Sequence, residues 1–270
     1  MFDNTKLILC DLDGSLLDSN KRIDSDIIDV IEKLKTKGIK FSIVSGRNNF
    51  AIKEIVDELN IDYPYICNNG AIIYENDRAI HVNAIKNDDL REIIDLLYEY
   101  NMDFVFDTKD KVICHRLNTN NNELTVYINR LAKHFDFVFD FNRQELYDLK
   151  PLKITLIDDD ISRIKEIQAI INQKYTNTKC NQSEDSIFVI SDINNNKGQG
   201  ISWLAQYLNI SLKDIMVFGD NYNDKTMLEK AGYGILMQNA NEDLKVKAKY
   251  ITKYDNNHHG ISRFIKENLL

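Results

Sequence analysis

The sequence predicts an α/β fold: a parallel sheet built from βαβ units, interrupted by an inserted α+β module. Three observations predict it. Short unbroken apolar runs alternate with helical apolar patterns at the start of the chain. The segment between about residues 83 and 190 contains a hairpin pattern instead. The first alternation then returns to the end.

Leu7-Ile8-Leu9-Cys10 is a continuous apolar run, as expected of a strand buried on both faces. Ile27, Val30, Ile31 and Leu34 recur at helical spacing, and Gly38 stops that helix just past its end. Phe41–Val44 reads as a second strand, Ile52, Ile55, Val56 and Leu59 as a second helix, and Tyr65–Cys67 as a third strand that ends in the loop Asn68-Asn69-Gly70. In the middle, Leu90, Ile93, Ile94 and Leu97 mark a helix. Phe104–Phe106 and Val112–Cys114 flank Thr108-Lys109-Asp110 as a hairpin would, which a purely parallel sheet does not contain. A helix over 124–131, a strand at Ile154–Ile157, a helix from Ile161 to Ile171 and a strand over Ser186–Ile190 complete the insert. Ile201, Leu204, Ala205 and Leu208 then lie on a helix, Ile215–Phe218 is a buried strand, and a short helix spans about Asp224 to Lys230. The expected domains are 1–82 with 191–270, and 83–190.

The length of 270 residues suits two domains and a sizeable core. Hydrophobic residues at 43% and charged residues at 28% exclude wholesale disorder. A net charge of −8 excludes a nucleic-acid binder that works through a broad basic surface. No apolar run reaches the ~18 residues of a membrane span, and Met1-Phe2-Asp3-Asn4 does not begin a secretory signal. Cys10, Cys67, Cys114 and Cys180 form no CxxC pair, so reduced thiols in a cytoplasmic protein are expected.

Asp11-Leu12-Asp13-Gly14-Ser15 directly follows the first buried strand. Ligands of open α/β sheets bind outside the carboxyl ends of the strands, so both carboxylates are expected there. One can serve as nucleophile or metal ligand, the other as general acid/base, and the competing reading is an acidic turn. Gly219-Asp220-Asn221-Tyr222-Asn223-Asp224 repeats the arrangement after another strand. A helix N-cap explains one of its carboxylates but not the recurrence. Clustered carboxylates need a cation or protons, and oxygen ligands without a His or Cys pair suit Mg²⁺ better than zinc. Ser45-Gly46-Arg47 and Lys197-Gly198 offer a hydroxyl, backbone N–H groups and an ammonium, which a phosphoryl group needs. Each alone also fits an ordinary turn or a surface lysine.

These four motifs, in this order, resemble those of the haloacid dehalogenase superfamily. The cap placement resembles the Cof-type phosphatases, and Ser15 stands where that family usually has threonine. The resemblance spans essentially the whole chain and implies a Rossmann-like core with a C2-type cap that closes over the substrate. It implies Asp11 as the nucleophile and Asp13 as the acid/base. Mg²⁺ is implied on Asp11, the Asp13 backbone carbonyl and Asp220, with Asp224 in or beside the metal site. Ser45, Gly46, Lys197 and Asn223 are implied as phosphate-binding residues. Asn69, in the Asn68-Asn69-Gly70-Ala71 loop, fits a substrate contact or a simple turn. Arg47 fits a substrate contact, or preferably a structural ion pair. His258-His259 reads as solvated surface rather than a metal pair, Asp160 as the cap of the helix at Ile161, and Phe104, Phe106 and Tyr127 as packing residues.

The reaction implied is Mg²⁺-dependent hydrolysis of a small phosphorylated metabolite, with no nucleic-acid or membrane partner. A phosphomutase or phosphotransferase would use the same aspartyl phosphate. A non-catalytic phosphometabolite sensor is the third reading, and the retained Asp11, Asp13, Asp220, Asp224, Ser45 and Lys197 weigh against it. The sequence leaves the substrate and the oligomeric state open.

Overall fold

A computed structural model describes residues 2–117, 121–139, 141–184 and 186–270. The chain falls into two compact units: the part up to His81 with Asn196–Leu270, and Val82–Asn195. The sequence placed the insert at 83–190. Its last strand runs on to Asp192, and Asn195 donates to the carbonyls of Asn83 and Leu152, so the return to the first unit comes at Asn196.

The first unit opens with β1 (Leu7–Cys10), α1 (Ile27–Thr36), β2 (Lys40–Ile43), α2 (Lys53–Glu58) and β3 (Tyr65–Cys67). α1 forms because Ile27, Val30, Ile31 and Leu34 share one buried stripe. It ends at Gly38, whose φ of 76° an L-residue adopts at a cost. A hairpin of β4 (Ile72–Glu75) and β5 (Arg78–Val82), unread in the sequence, turns on Asn76 and Asp77, both at positive φ.

The inserted unit holds α3 (Asn87–Glu99), the antiparallel pair β6 (Phe104–Asp107) and β7 (Val112–His115), α4 (Asn122–Leu131), β8 (Phe137–Val138), α5 (Arg143–Leu146), β9 (Lys153–Ile157), α6 (Ile161–Lys174), β10 (Thr178–Glu184) and β11 (Ile187–Asp192). Its sheet runs β10-β11-β9-β6-β7-β8. Leu90, Ile93, Ile94 and Leu97 of α3 and Ile164, Ile167 and Ile171 of α6 share its core with Phe104, Phe106 and Phe188. Asp160 caps α6 through Ser162 N–H, as expected, while Asp159 accepts from the N–H groups of Asn122 and Glu123 at the start of α4.

The first unit then resumes with α7 (Lys197–Tyr207), β12 (Ile215–Gly219), α8 (Lys225–Lys230), β13 (Tyr233–Leu236), α9 (Glu242–Lys245), β14 (Tyr250–Ile251) and α10 (Gly260–Asn268). Its five-stranded sheet, in the order β14-β13-β12-β1-β2, is parallel throughout. β1 and β12 are central and wholly buried, which is why their sequences are unbroken apolar runs. All four cysteines are buried thiols outside any disulfide. Among the described residues no helix is long and apolar enough to cross a membrane.

Candidate active site

The site sits where three parallel strands end at one level. Cys10 of β1 is in register with Phe218 of β12 and with Ile43 of β2. Asp11 N–H donates to the Phe218 carbonyl (2.9 Å) and Val44 N–H to the Cys10 carbonyl (2.9 Å). The next residues along each strand are therefore brought to one sheet edge: Asp11 from β1, Ser45 from β2, and Gly219-Asp220 from β12.

Lys197, the first residue of α7, points its ammonium group between two of these strand ends. Its Nζ lies 2.5 Å from Asp11 Oδ1 and 2.5 Å from Asp224 Oδ1, and its side chain is 0% exposed. A buried lysine without partners would lose its proton. Burial does oppose the charge here, yet Asp11 and Asp224 outweigh it and raise its affinity for the proton. Asn196 caps α7 through Gln199 N–H (3.0 Å), which sets the helix start and with it the lysine.

Asp224 is wholly buried. Its Oδ2 accepts from the N–H groups of Asp220 (2.9 Å) and Asn221 (3.0 Å), so one carboxylate closes its own turn while binding Lys197. One carboxylate oxygen each from Asp11, Asp220 and Asp224 lies within 4.8 Å of the others. Gly14 makes the close approach possible. Its φ is 80°, and a Cβ there would stand 2.3 Å from Asp220 Oδ2. Ser15 Oγ donates to Asp220 Oδ1 (2.9 Å), so the hydroxyl kept in place of threonine is in use.

The charge balance shows in the acids. Burial, and then Asp224, push the Asp11 carboxyl well above the ordinary range, with Lys197 pulling the other way. Burial and Asp224 likewise raise Asp220 to about 6, against Ser15 and Lys197. Three carboxylates facing one ammonium carry excess negative charge. An all-oxygen donor set of this kind fits a hard divalent cation. The Asp13 side chain lies outside this cluster.

Asp13 is held differently. Arg47 grips it with two bonds, Nε to Oδ2 (2.7 Å) and Nη2 to Oδ1 (2.6 Å), and Lys21 Nζ adds a third to Oδ1 (2.6 Å). Burial alone would raise Asp13, but Arg47 and Lys21 prevail and hold it at about 2. Arg47 thus forms an ion pair, and its partner is the acid/base candidate itself.

Ser45 is buried, and its Oγ accepts from Arg47 N–H (3.1 Å). Its carbonyl accepts from Asn69 N–H (2.9 Å). Asn69 Oδ1 accepts from Asn223 Nδ2 (3.2 Å) and packs on Gly46. The structure therefore brings Ser45, Gly46, Asn69 and Asn223 together, and joins Asp11, Asp220, Asp224 and Lys197 in a second cluster.

Sequence reading missed Lys21, whose amine reaches back eight residues, and Asn239, whose Nδ2 donates to the Gly14 carbonyl (2.7 Å). A basic residue soon after an acidic motif was the only signal for the first. His259 corrects the solvated-surface reading. It pairs through Nδ1 with Asp24 and shares a cluster with Asp24 and Asp26, carboxylates too distant in sequence to be matched with it.

Residues 8–265 match the family described as haloacid dehalogenase-like hydrolase. The pyridoxal phosphate phosphatase YbhA of Escherichia coli is 26% identical over 273 residues, 98% of this chain and 99% of that protein. The Bacillus subtilis 5-amino-6-(5-phospho-D-ribitylamino)uracil phosphatase YwtE is 27% identical, with 97% of both chains covered. The crystal structure of TM0651 from Thermotoga maritima superposes with a TM-score of 0.86 at 26% identity, with 97% of both chains covered.

Proposed function

The chain belongs to the haloacid dehalogenase-like hydrolases and is a phosphatase, and we propose that it hydrolyses a small sugar phosphate or cofactor phosphate through an aspartyl phosphate on Asp11. The observation that carries this reading is the buried Lys197 bridging Asp11 and Asp224, with Asp220 beside them. Mg²⁺ is the proposed cation, held by Asp11 and Asp220, with Asp224 and the Asp13 backbone carbonyl beside it. When bound, it supplies positive charge against the phosphoryl oxygens.

Asp11 must be ionised to attack phosphorus. Lys197 favours that form at a site where burial opposes it. An ammonium has three donors, and Asp11 and Asp224 take two of them. The third is proposed for a phosphate oxygen, with Ser45, the Gly46 backbone and Asn223 completing the cradle. Asp13 is proposed to protonate the leaving oxygen and then to take a proton from the water that attacks the acyl phosphate. Held by Arg47 and Lys21, it is in the base form that the second step needs, and for the first step it is proposed to relay the proton that a phosphomonoester monoanion brings. Asn69 and Arg47 are the proposed substrate contacts in this unit, and the inserted unit is proposed to select the substrate. The two relatives described above are named for different phosphate esters, which fits one chemistry serving several substrates.

The test is phosphate release from a panel of phosphomonoesters, with Mg²⁺ or with EDTA. Release by the wild type with Mg²⁺ alone is expected. Release that survives EDTA, or that Asp11→Asn retains, contradicts the assignment.

A further inference from the structure

Nine non-glycine residues among those described have positive φ, and seven of them are Asn or Asp, the side chains that tolerate this conformation best. Lys21 and His259 are the exceptions. Lys21, at φ 62°, sits at the tip of a tight turn built by Asp18. Asp18 Oδ1 accepts from the N–H groups of Asn20 and Arg22 (2.8 Å each), Asp18 N–H donates to the Arg22 carbonyl (2.9 Å), and Lys21 N–H donates to the Asp18 carbonyl (3.0 Å). Asparagines hold this segment from outside: Asn239 Nδ2 bonds the Gly14 carbonyl (2.7 Å), Asn256 Nδ2 the Leu17 carbonyl (2.9 Å), and Asn257 Oδ1 accepts from Ser19 N–H (2.9 Å).

Glycine or asparagine would take this backbone position at lower cost, so the lysine side chain needs a reason. Among the described residues its ion pair is to Asp13, and its side chain is 59% exposed. At that exposure an ion pair adds little to stability. What it changes is the symmetry of the carboxylate. Arg47 gives one bond to each oxygen of Asp13, and Lys21 adds a second to Oδ1. Oδ1 thus accepts two bonds and Oδ2 one, which leaves Oδ2 the greater capacity to take a proton.

We propose that Lys21 is a positioning residue for the Asp13 carboxylate, assigning proton transfer to Oδ2. The proposal rests on the phosphatase reading above. As the Asp11 oxygen–phosphorus bond forms and the ester bond breaks, a proton that the phosphomonoester monoanion has brought and given to Asp13 Oδ2 passes to the leaving oxygen. As water attacks phosphorus and the acyl phosphate bond breaks, Oδ2 regains a proton from that water.

Leaving groups distinguish positioning from a merely structural role. Phenolate needs a proton as it departs and p-nitrophenolate does not, and kcat/KM reports on this first phosphoryl transfer. For Lys21→Met and Lys21→Gly, kcat/KM on phenyl phosphate is expected to fall about tenfold, a fraction of what general acid catalysis supplies. On p-nitrophenyl phosphate it should stay within about twofold of wild type, and Lys21→Arg should recover most of the loss. Lys21→Gly should melt no lower than wild type, since glycine relieves the backbone. Equal losses on both esters, or no loss on either, overturn the proposal while leaving the phosphatase reading intact. A wild type that turns over neither these esters nor any phosphomonoester of the panel above overturns both.

Discussion

Lys197 carries a charged group to full burial between Asp11 and Asp224. Removing one member of such a triad leaves the other charges buried and uncompensated, at about 3–5 kcal/mol. Lys197→Met is therefore expected to lose several kcal/mol in denaturant melts and to lose turnover. Unchanged stability would mean that Asp11 and Asp224 do not depend on the ammonium. Asp220 gives a second expectation. With its carboxyl raised to about 6, it is ionised and ready for a cation above that pH and protonated below it. A cation must then displace a proton, so Mg²⁺ affinity should fall as pH drops through about 6, by up to tenfold per unit. Calorimetric titration at two pH values measures this, and a flat affinity contradicts the assignment of Asp220 as a ligand. At this scale the motif residues were legible because aspartates and glycines after apolar runs are chemically conspicuous. Lys21 was not, because its approach to Asp13 depends on a left-handed backbone that no residue type announces.

The elements show a similar division. β1 and β12 were legible because strands covered on both faces must be apolar throughout. β10 was not, since Thr178-Lys179-Cys180-Asn181-Gln182-Ser183-Glu184 lies at the sheet edge and needs no apolar alternation. α7 begins at Lys197, four residues ahead of the apolar pattern at Ile201, because its first turn is Lys-Gly-Gln-Gly. That turn relies on its cap. Asn196→Ala is expected to cost about 1 kcal/mol in stability. Because the frayed residue would be Lys197, kcat should fall as well. A stability loss with no change in kcat would separate the helix start from the role proposed for Lys197.

At the scale of the whole molecule, the parallel order β14-β13-β12-β1-β2 is what gathers Asp11, Ser45 and Asp220, which lie far apart in the chain, at one sheet edge. That convergence could be anticipated from the sequence, because buried parallel strands deliver the residues that follow them to a common edge. The return point of the chain at Asn196 could not, since it rests on the side-chain bonds of Asn195 to Asn83 and Leu152. The central claim is that Asp11 carries the phosphoryl group. The measurement that tests it most directly is mass spectrometry of enzyme quenched in acid during turnover of a phosphomonoester with Mg²⁺. One phosphoryl group on the peptide containing Asp11, absent from Asp11→Asn, is the predicted result. Steady phosphate release with no label on Asp11 at any quench time, or label on another residue, would contradict it.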